Sequence, residues 1–165
     1  SVFELGTQLE RAGDLTGAEE QYREMVRYGR EKYEPGDVRT CAVLMLLANS
    51  LSKQGRHDES EPLYREALEG FIARRPAGHR QIGQARNALA ACLIAQQKFS
   101  DAEPLLLAVE EATRAAGVPP AARADALNRL ITFYSSWHTA EPDQGHDAKA
   151  AQWRTTLDAP APSTQ

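Results

Sequence analysis

The chain is poor in cysteine: Cys41 and Cys92 are its only two in 165 residues. Each sits inside an apolar helical pattern, without the close spacing of a zinc site or the density of a disulfide scaffold, so both read as small buried side chains in a reducing, cytoplasmic setting. A basic surplus is also missing. Lysine and arginine number 19 against 23 aspartates and glutamates, for a net charge of -4, which speaks against a phosphate backbone as partner. Long apolar runs are absent as well. The longest, "CAVLMLLA" at 41–48, falls far below the ~20 residues of a membrane-spanning helix, and no signal-peptide pattern precedes it. The sequence opens on Ser1 with an apolar helical pattern already running and ends in "DAPAPSTQ". We therefore expect a piece of a longer protein, with 158–165 as a flexible tail.

What is present is a repeat. The composition, 42% apolar and 25% charged, suits one ordinary globular domain. A shift of 42 residues aligns "LGTQLERAGDLTGAEEQYREMV" (5–26), "LANSLSKQGRHDESEPLYREAL" (47–68) and "LAACLIAQQKFSDAEPLLLAVE" (89–110). In each, a leucine (Leu5, Leu47, Leu89) precedes a small residue (Gly6, Ala48, Ala90), with another leucine (Leu9, Leu51, Leu93) closing one helical face. A turn at Gly13, Gly55 or Gln97 follows. Then comes a second small residue (Ala18, Ser60, Ala102) and a large one (Tyr22, Tyr64, Leu106). Small side chains at fixed slots let two helix axes approach, so the unit is a helical hairpin.

A fourth, divergent copy places Leu130 and Tyr134 in the two leucine slots, and "KAAQWRTTL" (149–157) supplies its second helix after the insertion "HTAEPDQGHD". Pro35, Pro76 and Pro119 recur in the connectors, where proline stops one helix and leads into the next. The expectation is all-α, one domain over 1–157, with repeats at about 2–33, 38–75, 79–116 and 120–157.

The stretch "HDES" at 57–60 carries the residue types of a hydrolase or a metal site. The repeat argues otherwise. His57 shares its slot with Leu15 and Phe99, and Ser60 with Ala18 and Ala102, so neither position is chemically selected. Thr16, Asp58 and Ser100 each precede a glutamate by three residues (Glu19, Glu61, Glu103), the pattern of a capping box. Pro62 and Pro104 then fall in or next to a first turn. Glu19 with Arg23, and Glu61 with Arg65, read as i,i+4 pairs on the outer wall.

"LANSLSKQGRHDESEPLYREALE", with its 42-residue period and the echo "AEPLL", resembles the tetratricopeptide repeat in its long, kinesin-light-chain-like variety. The period exceeds the ordinary one of about 34 residues, through a longer second helix and connector. The resemblance implies an α-solenoid of about four helix-turn-helix repeats, forming a right-handed superhelix whose first helices line a concave groove. It implies a noncatalytic module that binds a peptide or partner segment there and needs no cofactor. It further implies a bacterial signalling context, with an alternative reading as the regulatory segment of a larger enzyme such as a repeat-linked serine/threonine kinase. No kinase motif occurs in these residues.

The free face of the first helices supplies the candidates. These are Met45 and Asn49; Gln84, Asn87 and Ala91; Asp125, Asn128 and Thr132; and, toward the helix ends, Arg11, Ser52, Lys53, Ser135 and Ser136. Asparagine is a poor helix former, so its placement in mid-helix at Asn49, Asn87 and Asn128 asks for a reason. The resemblance supplies one, hydrogen bonding to a bound peptide backbone; bonding to neighbouring helices is the plainer alternative. The uncapped first repeat offers a face for another copy of the chain or for an upstream repeat. In the insertion, His138, Glu141, Asp143, His146 and Asp147 are metal-ligand types without fixed spacing and read as a solvated loop. Phe133, Tyr134, Trp137 and Trp153 read as an aromatic plug closing the last repeat.

Overall fold

The computed structural model describes residues 2–115 and 117–159, with the side chains of Val2 and Phe3 excepted. Among the described residues there are eight α-helices and no strand: α1 (Val2–Arg11), α2 (Leu15–Lys32), α3 (Val38–Lys53), α4 (His57–Arg74), α5 (Arg80–Ala95), α6 (Phe99–Ala112), α7 (Pro120–Ala140) and α8 (His146–Asp158). The fold is all-α, as expected, and about four hairpins fit it. Two compact units can be distinguished, Ser1–Gln96 and Gln97–Gln165. The expected flexible tail lies, beyond Ala159, outside the described residues.

In the first unit α1 packs on α2, α2 on α3, α3 on α4 and α4 on α5; in the second, α6 packs on α7 and α7 on α8. The leucine slots form the core, with Leu47, Leu51, Leu89, Leu93 and Leu130 all essentially inaccessible. Leu5, in the same slot of the first repeat, is 45% exposed. The small slots are equally buried: Ala18, Ser60 and Ala102 have no exposed surface. Close approach is literal here. A Cβ added to Gly6 would stand 2.7 Å from Cε1 of Tyr22, and one on Gly70 only 2.3 Å from the Cys41 sulfur.

The turn inside each hairpin needs a left-handed residue. Gly13 (φ 85°) and Gly55 (φ 76°) supply it without steric penalty, whereas the third copy places Gln97 there at φ 60°. A side chain in this region costs about 1–2 kcal/mol. Gln97→Gly should therefore stabilise the chain by up to about 1 kcal/mol, after the larger backbone entropy of glycine in the unfolded chain is deducted. Urea unfolding would show this as a higher midpoint.

The capping boxes are not formed. α2, α4 and α6 begin at Leu15, His57 and Phe99, so Thr16, Asp58 and Ser100 are already helical, one residue inside the start. Of the three helices only α2 has a side-chain cap, from Asp14, whose Oδ1 accepts from Gly17 N at 2.8 Å. Pro62 and Pro104 stand sixth in their helices, beyond the first turn. The physical reason lies in what the glutamates meet. Glu19 accepts from Gln54 Nε2 at 3.1 Å and Arg56 Nη1 at 2.6 Å as well as from Arg23, and Glu61 accepts from Gln96 Nε2 at 2.9 Å as well as from Arg65. There each carboxylate meets several donors at once, from its own helix and from the following first helix or its turn, where the cap would offer one. The pair Glu19 with Arg23 is thus not a purely solvated one, since Glu19 is buried.

In the fourth copy Trp137 replaces the glutamine that Gln54 and Gln96 provide, and Glu103 accepts instead from the Tyr134 hydroxyl at 2.6 Å and Lys149 Nζ at 2.9 Å. For Glu19 and Glu103, burial is the largest single influence and pushes the carboxyl pKa up, but the donors around each outweigh it and hold both below the ordinary value of 4.5. A folded pKa below the unfolded one contributes stability that is present above about pH 4.5 and lost as the pH falls through the folded value. Melting temperature should therefore drop on acidification below pH 4.5, and Glu19→Gln should flatten that acid limb while lowering stability near neutrality.

Candidate binding groove

Within the first unit, one face of α3 and one face of α5 enclose a cavity of about 340 Å³. Ala42, Met45 and Asn49 line it from α3; Gln81, Gln84 and Ala88 line it from α5; Phe71 of α4 forms the floor. Both triplets run i, i+3, i+7, the spacing of a single helical stripe, so the two stripes face one another. Four lining residues are apolar, three are carboxamides, and none is charged.

The carboxamides are oriented by their neighbours. The Tyr64 hydroxyl donates to Asn49 Oδ1 at 2.7 Å, and Ser52 Oγ lies 3.4 Å from the same hydroxyl. Burial raises the Tyr64 pKa, which keeps the phenol protonated and able to donate. With its oxygen taken, Asn49 is left with Nδ2, for which no partner exists among the described residues. Gln81 is held likewise: Arg75 Nε donates to its Oε1 at 3.0 Å, leaving Nε2. Gln84 is exposed and uses neither end of its amide within the described residues. The cavity wall is therefore rich in free donors above an apolar floor.

Of the residues expected from sequence, Met45, Asn49 and Gln84 meet in this cavity. The others do not. Lys53 is paired with Glu10 of α1, whose other oxygen accepts from the Tyr22 hydroxyl at 3.1 Å. That carboxylate, with burial as the larger cause, pushes the Tyr22 pKa up to about 12. Ser52 Oγ lies 2.9 Å from Ser60 Oγ inside the hairpin. Asn87 Oδ1 is buried without a hydrogen-bond partner, whereas Arg11 and Ala91 are exposed, as are Asp125, Asn128, Thr132, Ser135 and Ser136 in the second unit. Sequence reading missed Ala42, Gln81, Ala88 and Phe71. The signal for Ala42 and Gln81 was available, since each lies three residues before a candidate on the same stripe.

The rival clusters take structural places. His57 opens α4, and its carbonyl lies 3.1 Å from Ser60 Oγ. His138 Nδ1 lies 4.0 Å from Asp147 Oδ1, while His146 is buried and stacked on Trp137 at 3.9 Å between centroids. Among the described residues no three His, Cys, Asp or Glu side chains group to hold a metal ion. Trp137 also stacks with Phe99 at 5.7 Å and Tyr134 at 6.4 Å, so the aromatic residues of α7 pack into the second unit's core. No helix among the described residues is long and apolar enough to cross a membrane.

Tyr64→Phe removes the donor that orients Asn49, and should cost about 0.5–1.5 kcal/mol in urea unfolding. The Asn49 side-chain amide signals should move at the same time in an ¹⁵N correlation spectrum, while the backbone pattern is kept.

Residues 1–73 and 39–115 match a family profile described as Tetratricopeptide repeat. A solved structure of a putative kinesin light chain with nearly identical TPR-like repeats, from Podosopora anserina, superposes with a TM-score of 0.81 at 16% identity, over 94% of this chain and 71% of that one. A solved single-substitution variant of that protein gives the same figures. BtubC (BKLC) from P. vanneervenii superposes with a TM-score of 0.74 at 16% identity, over 98% of this chain and 65% of that one. No curated protein matches in sequence.

Proposed function

Because the chain belongs to the tetratricopeptide repeat family, in its long kinesin-light-chain-like form, we propose that it is a noncatalytic module in the cytoplasm that binds a peptide or partner segment along its first helices. The observation that carries this reading is the meeting of Met45, Asn49 and Gln84 in one open cavity with unused amide donors. The chain's own hydrogen bonds leave these amide ends unused, whereas Glu19 and Glu61 are each engaged by donors from the next first helix or its turn. Donors left over on a concave apolar wall suit the acceptors of an extended backbone. Asn87 and Asn128 lie outside the cavity, and each is proposed to contact a bound partner on its own account. Net charge and the absence of a basic surplus favour a protein partner over nucleic acid.

A second reading, self-association through an end repeat, has one specific observation in its favour: Leu5 is 45% exposed in a slot that is buried in every later repeat, a face that a second copy or a preceding repeat would cover. The place of the module in a larger signalling protein is compatible with both.

Panning a phage library of short unstructured peptides on the immobilised chain tests the first reading. Enriched peptides should lose about tenfold or more in affinity to Asn49→Ala with Gln84→Ala, the loss expected for two hydrogen bonds, and be weakened by Asn87→Ala with Asn128→Ala at nearly unchanged melting temperature. Peptides that bind all variants as tightly as the parent would place the binding surface elsewhere.

A further inference from the structure

We propose that the second hairpin contains a reversible hydrogen-bond relay, running from Asn49 through Tyr64, Ser52 and Ser60 to Cys92, by which a change at the Asn49 carboxamide on α3 is felt at the thiol on α5. The device goes beyond the binding reading above and rests on it only for its use, which is to report an occupied Asn49 to the next hairpin.

Packing does not ask for these polar groups. Ser60 stands in the small slot that Ala18 and Ala102 fill in the neighbouring copies, so a methyl group suffices there. The slots of Asn49, Ser52 and Tyr64 hold Ala91, Ile94 and Leu106 in the third copy. Yet in the second copy the polar atoms form a line. The Tyr64 hydroxyl donates to Asn49 Oδ1 at 2.7 Å and lies 3.4 Å from Ser52 Oγ; Ser52 Oγ lies 2.9 Å from Ser60 Oγ, which lies 3.3 Å from Cys92 Sγ. At the far end the His57 carbonyl is 3.1 Å from Ser60 Oγ and 3.5 Å from Cys92 Sγ. The contact of Cys92 with that carbonyl is a feature of the repeat, matched one copy earlier by Ser50 on the Leu15 carbonyl at 3.2 Å. The link through Ser60 has no such counterpart, because Ala18 and Ala102 carry no hydroxyl. Ser60 has no exposed surface, and Cys92 and Tyr64 are 2% and 3% exposed, so solvent does not short-circuit the middle of the chain.

One proton per hydroxyl makes the line directional. With the Tyr64 proton on Asn49, Ser52 donates to Tyr64, Ser60 to Ser52 and the thiol to Ser60, and each donation polarises the next. The short contact of Tyr64 with Asn49, against the longer one with Ser52, puts the chain in this sense. Once Asn49 Oδ1 is withdrawn, Tyr64 turns its proton to Ser52. Ser52 then donates to Ser60, and Ser60 passes its own proton to the His57 carbonyl already within reach. The thiol loses the polarised acceptor it had. Mixed arrangements leave the two serine oxygens facing each other with no proton, or with two, between them. The line therefore has two satisfied states, which is the kind of element that coupling between separated sites requires.

The S–H stretch of Cys92 reads the far end directly, since few other protein groups absorb in that part of the infrared. Cys92→Ala assigns its band apart from that of Cys41. In the full chain Asn49→Ala should move the Cys92 band, whereas Met45→Leu, on the same stripe of α3 but outside the line, should leave it in place. Ser60→Ala, the residue that the first and third copies carry, cuts the relay, so in its background Asn49→Ala should no longer shift the band. Because coupling is reciprocal, Ser60→Ala alone should move the Asn49 side-chain amide signals in an ¹⁵N correlation spectrum. Should Asn49→Ala not fold, Tyr64→Phe removes the first hydroxyl and serves in both backgrounds. A Cys92 band that ignores these changes, or one that moves as far with Ser60→Ala present as without it, would overturn the relay. Selection of peptides on phage is untouched by either result, so the binding reading stands or falls separately.

Discussion

The first unit depends on how closely the two helices of a hairpin approach, and that distance is set by the small slot on the second helix. Ala18 and Ser60 have no exposed surface, and the large residue four positions on, Tyr22 or Tyr64, fills the space that the small one leaves. Close packing of this kind tolerates little change in volume. In the first repeat Tyr22 reaches back over Gly6; in the second the equivalent Tyr64 extends its hydroxyl to Ser52 and Asn49. The candidate groove is thus a consequence of core geometry. An asparagine on the open face is held by a tyrosine whose ring belongs to the hairpin interior.

The same dependence explains which parts were legible in the sequence. Leucine slots, small slots and the left-handed turn at Gly13, Gly55 and Gln97 repeat at 42 residues because each is a steric demand with few chemical solutions. The capping boxes were illegible for an opposite reason. A short polar residue followed three positions later by glutamate has two uses, one local and one reaching into the next hairpin. The donors that decide between them, Gln54 and Arg56 for Glu19, lie 35 and 37 residues further on. Only with both ends in view is the glutamate seen to tie one hairpin to the next first helix.

The groove was legible in part. Periodicity points to a face, and Met45, Asn49 and Gln84 lie on one; it does not say which polar side chains on that face are already engaged. Lys53 and Ser52 share the face by count yet are consumed by Glu10 and Ser60, partners on other helices. Asn49 shows the limit most sharply: its oxygen accepts from a neighbouring helix, while its nitrogen has no partner among the described residues.

Division of labour within single amides gives the groove its chemical sense. An amide free at both ends can rotate to suit either a donor or an acceptor, and so discriminates little. One whose oxygen is held by a tyrosine or an arginine is fixed in orientation and keeps its N–H end available. Asn49 and Gln81 are both fixed in this way, from two different helices and by two different partners. Internal hydrogen bonds thus restrict the candidate groove, and on the proposed reading that restriction would give it a preference among guests where an array of freely rotating amides would have little.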